Sequence, residues 1–249
     1  LAFTFGIFHS TTFLKKSKQM KRNDFIVLLV VALVLLPFFL SAEVFSAYET
    51  FNAQHGMVMS FIKFAILATF GEVIGLRIRT GRYNQTGFGI LPRAIVWGFL
   101  GLTINMAFVI FSKGTPAFLE YMGVTNAVAL LQGPLSAGKV LVALAISSAL
   151  NLIYAPVMMT LHKITDTHIL KNGGSVKGLL KPIHFGEIMA SMDWRVQWNF
   201  VFKKTIPFFW IPAHTITFIL PQDYRVLFAA VLGIALGVLL AIASLKSRN

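Results

Sequence analysis

The chain contains no cysteine. That excludes a disulfide framework, a thiolate metal site and a cysteine nucleophile. Charge is also scarce. Asp, Glu, Lys and Arg make up 12% of 249 residues, against about 25% in an ordinary soluble domain. Acidic residues are the rarest, 9 against 22 Lys and Arg. There is no Walker lysine motif and no HExxH. The stretch "GRYNQTGFG" holds Gly87 and Gly89 but lacks the third glycine and the strand–helix setting of a dinucleotide site. No carboxylate pair and no serine with a neighbouring base stands out. "HKITDTH" places His162 and Asp166 on one helical face near His168, too few ligands for a metal cage. It reads as a solvated segment. The sequence therefore predicts no enzyme, no metal and no other cofactor.

What is abundant is apolar. Hydrophobic residues reach 56%, phenylalanine occurs 24 times, and the mean hydropathy is +0.74. Six apolar segments emerge: Phe25–Val44, Met57–Leu76, Ala94–Phe111, Lys139–Leu161, Thr205–Leu220 and Val226–Ser244. Most approach the ~20 residues that cross a bilayer as a helix, and none alternates as a barrel strand would. The fifth is short unless it begins near Trp198 or Asn199.

The net charge of +13 fits topology better than nucleic acid, because the basic residues fall between the apolar runs. From the N-terminus the connections hold 5, 0, 4, 1, 7, 1 and 2 Lys or Arg, starting with Lys15, Lys16, Lys18, Lys21 and Arg22. High and low alternate, as for six spans with both termini inside. The expected fold is an all-α polytopic membrane bundle of about six transmembrane helices. Residues 1–19 read as a non-native upstream extension or disordered tail. Met20 resembles a natural start, and residues 20–249 form a single transmembrane domain. The first apolar run also resembles a signal peptide, but its length favours a retained helix. Loop 162–204 is the long connection, and its Trp194, Trp198, Phe200 and Phe202 beside Arg195, Lys203 and Lys204 predict an interfacial helix leading into the fifth span.

Polar residues within the spans are the candidate functional groups. Lys63 and Glu72 lie nine residues apart on one helix and so project from opposite faces. Lys63 has the reach to snorkel to the membrane edge. Glu72 reads either as an interfacial ion pair with Arg77 or Arg79, or as the mouth of an aqueous path. Asn105, Asn151 and His214 lie near the middle of their segments and must face the bundle interior, either as interhelical hydrogen bonds or as the lining of a pore. His214 is the deep group able to change charge near neutral pH, which marks it as a gating candidate. Gly71 with Gly75 and Gly233 with Gly237 have the spacing that lets helices approach closely in lipid. Pro207 and Pro212 kink or break the fifth helix and Pro221 ends it; Thr205, Thr215 and Thr217 are placed to satisfy freed carbonyls.

Together these residues resemble a known family, the Mpv/PMP group of small peroxisomal-membrane and mitochondrial inner-membrane proteins, with bacterial relatives. The resemblance lies in Trp194 and Trp198, in "KKTIPFFWIP", and in Phe218, Pro221, Tyr224 and Arg225, which match an aromatic stretch closing on Pro-x-x-Tyr-Arg. Upstream, Gly71-Glu72 stands where the family has Gly-Asp, Arg93 and Gly101 open the next span, and Pro156 closes the following one. The similar core covers about residues 58–245. The resemblance implies a compact helical bundle linked to small-solute permeability, and a chain of this type starting at Met20 would sit in a bacterial plasma membrane. The expected function is a channel-like protein for small solutes, with Glu72, Asn105, Asn151 and His214 lining or gating the path. The alternative is a non-conducting scaffold whose basic loops hold anionic lipid or a protein partner. A homo-oligomer is compatible with either.

Overall fold

The computed structural model describes residues 22–246. The expected extension 1–19, Lys21 and Arg248 lie outside the described residues. The described residues are mostly helical and contain no strand. Five helices are long and apolar enough to cross a bilayer: α1 (Arg22–Leu40), α3 (Gly56–Thr80), α4 (Ile90–Tyr121), α5 (Ala137–Lys171) and the start of α7 (Gln222–Lys246). The chain is an all-α, multi-pass membrane protein. A further apolar rod, π-helical over Gln197–Trp210 and α-helical over α6 (Ile211–Ile219), precedes α7.

Several boundaries differ from the sequence reading. The first apolar run does not continue to Val44. It stops at Leu40, and Ser41 caps a separate helix, α2 (Ala42–Gln54), by accepting from the Val44 N–H at 3.3 Å. The expected loop 45–56 is therefore mostly helix; serine at the cap and Glu43 in the first turn are ordinary start signals. The rod before α7 begins at Gln197, earlier than Thr205, and Pro207 lies within a π-helical run. The predicted interfacial helix resolves into two short pieces, Phe185–Ser191 and Trp194–Val196, ahead of that run.

Contacts sort the connections into two ends. At one end Asp24 meets Arg77, Arg93 meets Asp166, and the backbones of Gly89 and Gly174 approach so closely that a Cβ on Gly89 would lie 2.8 Å from the Gly174 Cα. At the other end Tyr224 donates to Glu49 at 3.1 Å and Lys63 donates to Asn52 at 2.5 Å. The basic connections 77–93 and 162–204 thus share one end. Lys63 is 5% exposed and ends against Tyr48 and Asn52 of α2; it reaches that helix where open water was expected. α1 buries no residue against the bundle, yet its first turn is pinned to it. Arg77 grips Asp24 through Nε at 2.8 Å and Nη2 at 2.6 Å, and the Tyr83 hydroxyl adds a bond at 2.7 Å. Burial, then Asp24, pushes the Tyr83 hydroxyl up from its ordinary range, so it remains a donor at neutral pH.

The bundle closes on small residues. α3 and α7 cross where Gly71 and Gly75 face Gly233 and Gly237: a Cβ on Gly71 would stand 2.9 Å from the Ile234 Cα, and one on Gly237 would stand 3.0 Å from the Gly71 oxygen. Gly98 and Gly101 admit Phe61 and Phe64 in the same way between α4 and α3. Ala68, Ala107, Ala143, Ala229 and Ala230 continue the core beside Phe64, Phe108 and Phe218, the composition expected where packing must hold helices together in lipid. Past α6, Leu220 is extended ahead of Pro221, and Arg225 donates to the Leu220 and Phe218 carbonyls at 3.0 and 3.1 Å. The Phe218–Pro221–Tyr224–Arg225 set is thus a turn in which the arginine caps the preceding helix.

Gly71→Val, which forces the α3–α7 backbones apart, is expected to cost about 1–3 kcal/mol. Gly233→Ala, whose new Cβ meets the Ala68 Cβ at 3.9 Å, is expected to leave stability unchanged. Thermal unfolding of the two purified variants in detergent checks the difference.

Candidate functional site

The long helix α5 organises the polar interior. Ser147, Asn151, Tyr154, His162 and Asp166 follow one another at helical spacings down a single face, with Met158 completing the gap. Leu152, Ile153 and Val157 on the other side are exposed to lipid. A π turn, Leu150–Tyr154, interrupts the helix just before Pro156. Proline has no N–H to give to the turn behind it, and such a loss is a common cause of local unwinding. Asn151 in that turn donates Nδ2 back to the Ser147 carbonyl at 2.8 Å.

At the basic end, one guanidinium holds three helices. Arg93 of α4 is 6% exposed and pairs through Nη1 with both Glu72 of α3 and Asp166 of α5. Its Nε donates to the Phe88 carbonyl at 2.7 Å, and its plane lies over the Phe88 ring. Glu72 takes two more donors, Trp97 Nε1 at 2.9 Å and His162 Nε2 at 3.0 Å. The Trp97 and His162 rings lie 4.4 Å apart.

This corrects two expectations. Glu72 pairs with Arg93, which α4 brings across, while Arg77 on Glu72's own helix turns to Asp24. The Glu72 side chain is 19% exposed. "HKITDTH" is no solvated segment: His162 and Asp166 complete the ion cluster, and His168, 3% exposed, meets the Gly178 carbonyl at 3.1 Å. Among the described residues no group of three or more His, Asp or Glu is arranged to hold a metal ion.

Farther along α5 the polar groups are neutral. Thr103 of α4 donates to the Leu100 carbonyl at 2.8 Å, so the Tyr154 hydroxyl is the donor in the 2.7 Å contact between them. Asn151 and His214 converge, Nδ2 to Nδ1 at 3.0 Å, and Ser147 donates to the Ile211 carbonyl at 2.7 Å. Asn151 and His214 are buried at 1% and 9% exposure. Phe108 and Trp210 flank the imidazole. Thr215 and Thr217 bond back to the Ile211 and Ala213 carbonyls within α6, and Thr205 does the same for Phe200 in the π-helical run.

Asn105 does not join this group. Its amide points to the start of α3, 3.5 Å from the Gly56 carbonyl and 3.3 Å from Met57 Sδ. Four candidate residues thus fall into three places: Glu72 in the ion cluster, Asn151 with His214 in the neutral cluster, and Asn105 apart near the far end. A cleft of about 360 Å³ lined by Met57, Leu102, Thr103, Met106, Val109 and Ile110 touches the polar face only at Thr103. Trp97, Tyr154 and Trp210 were not singled out from sequence, though the three- and four-residue spacings from Ser147 to Asp166 carried the signal for Tyr154. No protein-family model, curated protein or solved structure matches the chain.

Removing the guanidinium strands two partly buried carboxylates. Arg93→Leu is expected to cost about 3–5 kcal/mol, whereas Arg195→Leu, at an exposed position, should change stability by less than about 0.5 kcal/mol. Denaturant titration in detergent measures both.

Proposed function

We propose that the chain is a channel-like membrane protein that passes small solutes along the polar face of α5. One observation carries this reading. Polar side chains from α3, α4, α5 and α6 meet in series along the length of a single buried helix face, from Asp166 and His162 through Tyr154 to Asn151 and Ser147. Polar groups at membrane depth are costly, and a series of them on one buried face marks a path for something polar. The groups bond to one another, and on this reading that bonded arrangement is the closed state. Opening would separate α5 from α6 at the Asn151–His214 contact while the Glu72–Arg93–Asp166 cluster keeps register. The π turn beside Asn151 and the π-helical run before α6 offer helices that can rearrange without breaking a full ladder.

The resemblance to the Mpv/PMP group supports the same reading. Its upstream markers, Glu72 and Arg93, are distant in sequence and pair in space, and its C-terminal markers build one capped turn. On this reading the protein works in a bacterial plasma membrane. The scaffold alternative draws on the same closed pairing: a bundle that never opens would show the same bonds, with the basic end facing anionic lipid.

Flux separates the two. Wild-type protein in liposomes is expected to release trapped small solutes faster than empty liposomes, and the double variant Asn151→Leu/His214→Ala to change that rate severalfold. Wild-type flux equal to that of empty liposomes would favour the scaffold. Equal flux from wild type and variant would move the path away from α5.

A further inference from the structure

We propose that the cleft between the start of α3 and the middle of α4 is a phospholipid site. One acyl chain fills the cleft, an ester carbonyl meets Asn105 and the phosphate meets Lys113. The inference goes beyond the channel reading and does not depend on it.

The cleft holds about 360 Å³, and its lining is apolar except for Thr103. That hydroxyl is already engaged, donating to the Leu100 carbonyl and accepting from Tyr154. A polar solute would therefore lose its hydration there without compensation. Four lining side chains, Met57, Met106, Val109 and Ile110, are exposed on the outside of the bundle, so the cleft opens sideways toward lipid. One turn of helix with its side chains occupies about 400 Å³ or more. A helix from a second copy is too bulky to seat, whereas a flexible hydrocarbon chain is narrow enough.

Two polar groups flank the cleft and lack strong partners. Met57 lines it and lies 3.3 Å from Asn105 Nδ2, which puts that amide at its rim. The amide's other contact is the Gly56 carbonyl at 3.5 Å. A thioether is a weak acceptor and 3.5 Å is long for an N–H···O bond, so Asn105 has a donor to give. Lys113 follows Met106, Val109 and Ile110 by seven, four and three residues, which continues their stripe. Helical side chains lean toward the N-terminus, here the direction of the cleft. Lys113 is exposed, and among the described residues it forms no ion pair. It stands just past Phe111, where the apolar run of α4 ends and hydrocarbon gives way to headgroups. Wall, amide and cation match the chain, ester and phosphate of a phospholipid.

Methyl NMR tests the assignment, because Met57 and Met106 stand on the cleft wall. Carbon-13 methionine spectra of the full chain in maltoside micelles are followed during three titrations. The probes are dioleoyl phosphatidylglycerol, dioleoylglycerol, which lacks the phosphate, and sodium phosphate. Met57→Leu and Met106→Leu identify the resonances. The expected result is a saturable shift at Met57 and Met106 with phosphatidylglycerol and none with phosphate alone. Met122, exposed just past the end of α4, should drift without saturating. Dioleoylglycerol should bind about fivefold more weakly than phosphatidylglycerol. Lys113→Gln should weaken phosphatidylglycerol by that factor and leave dioleoylglycerol unchanged, and Asn105→Leu should weaken both about fivefold. Methyls at 57 and 106 that respond no more than Met122, equal binding of the two lipids to wild type, or a response to phosphate alone would overturn the proposal. Shifts that follow protein concentration without added lipid would also overturn it and make a second copy the occupant.

Discussion

Hydrocarbon offers no hydrogen bonds, and Arg93 shows what that constraint does to this chain. A guanidinium at this depth survives only if its charge and its donors are met by protein. Two carboxylates and a carbonyl meet them, and they come from α3, from α5 and from the loop ahead of α4. Satisfying one side chain therefore fixes three helices in depth and rotation. With α5 held there, its polar face turns inward along its whole length, and the neutral groups two to four turns away find partners on α4 and α6. The glycine crossing of α3 with α7 supplies close packing, but it does not choose which face of α5 is buried. The ion cluster does.

The same constraint explains what was legible in the sequence. Helices were legible because apolar runs of the right length recur between basic loops. The α3–α7 crossing was legible in the spacing of Gly71, Gly75, Gly233 and Gly237, since small residues four apart have few other uses in a span. That Asn151 and His214 face inward followed from their depth. Pairing partners did not follow. Glu72 looked nearest to Arg77 and Arg79 because they share its helix, but helical neighbours compete with groups that packing brings across, and Arg93 arrives with two acceptors and a carbonyl already arranged around it. "HKITDTH" looked solvated because it follows a span; in fact α5 runs through to Lys171 and carries those residues down the inner face. The helix α2 was hidden by a single residue, since Ser41 inside an apolar run reads as an interruption until its capping bond is seen.

Prolines take on a consistent role in this frame. Pro156 follows a π turn and Pro207 lies within a π-helical run; both flank the Asn151–His214 contact, where the ladder is already loosened and side chains of Asn151, Ser147 and Thr205 take up carbonyls. Those segments can change their winding at low cost while the Arg93 cluster stays intact. The bundle thus has a rigid end, held by charge, and an adaptable end, held by neutral hydrogen bonds. A path that opens at the second while the first keeps register needs no rearrangement of the whole fold.

The absence of cysteine makes the central claim, that the inner face of α5 is a path reached by water, open to direct measurement. Single cysteines placed in turn at Ser147, Leu152, Ile153, Tyr154, Val157 and Met158 can be treated in intact proteoliposomes with a membrane-impermeant thiol reagent. The account predicts labelling at 147, 154 and 158 and none at the lipid-facing positions 152, 153 and 157. Absence of labelling along the inner face, or labelling that ignores the helical period, would contradict it.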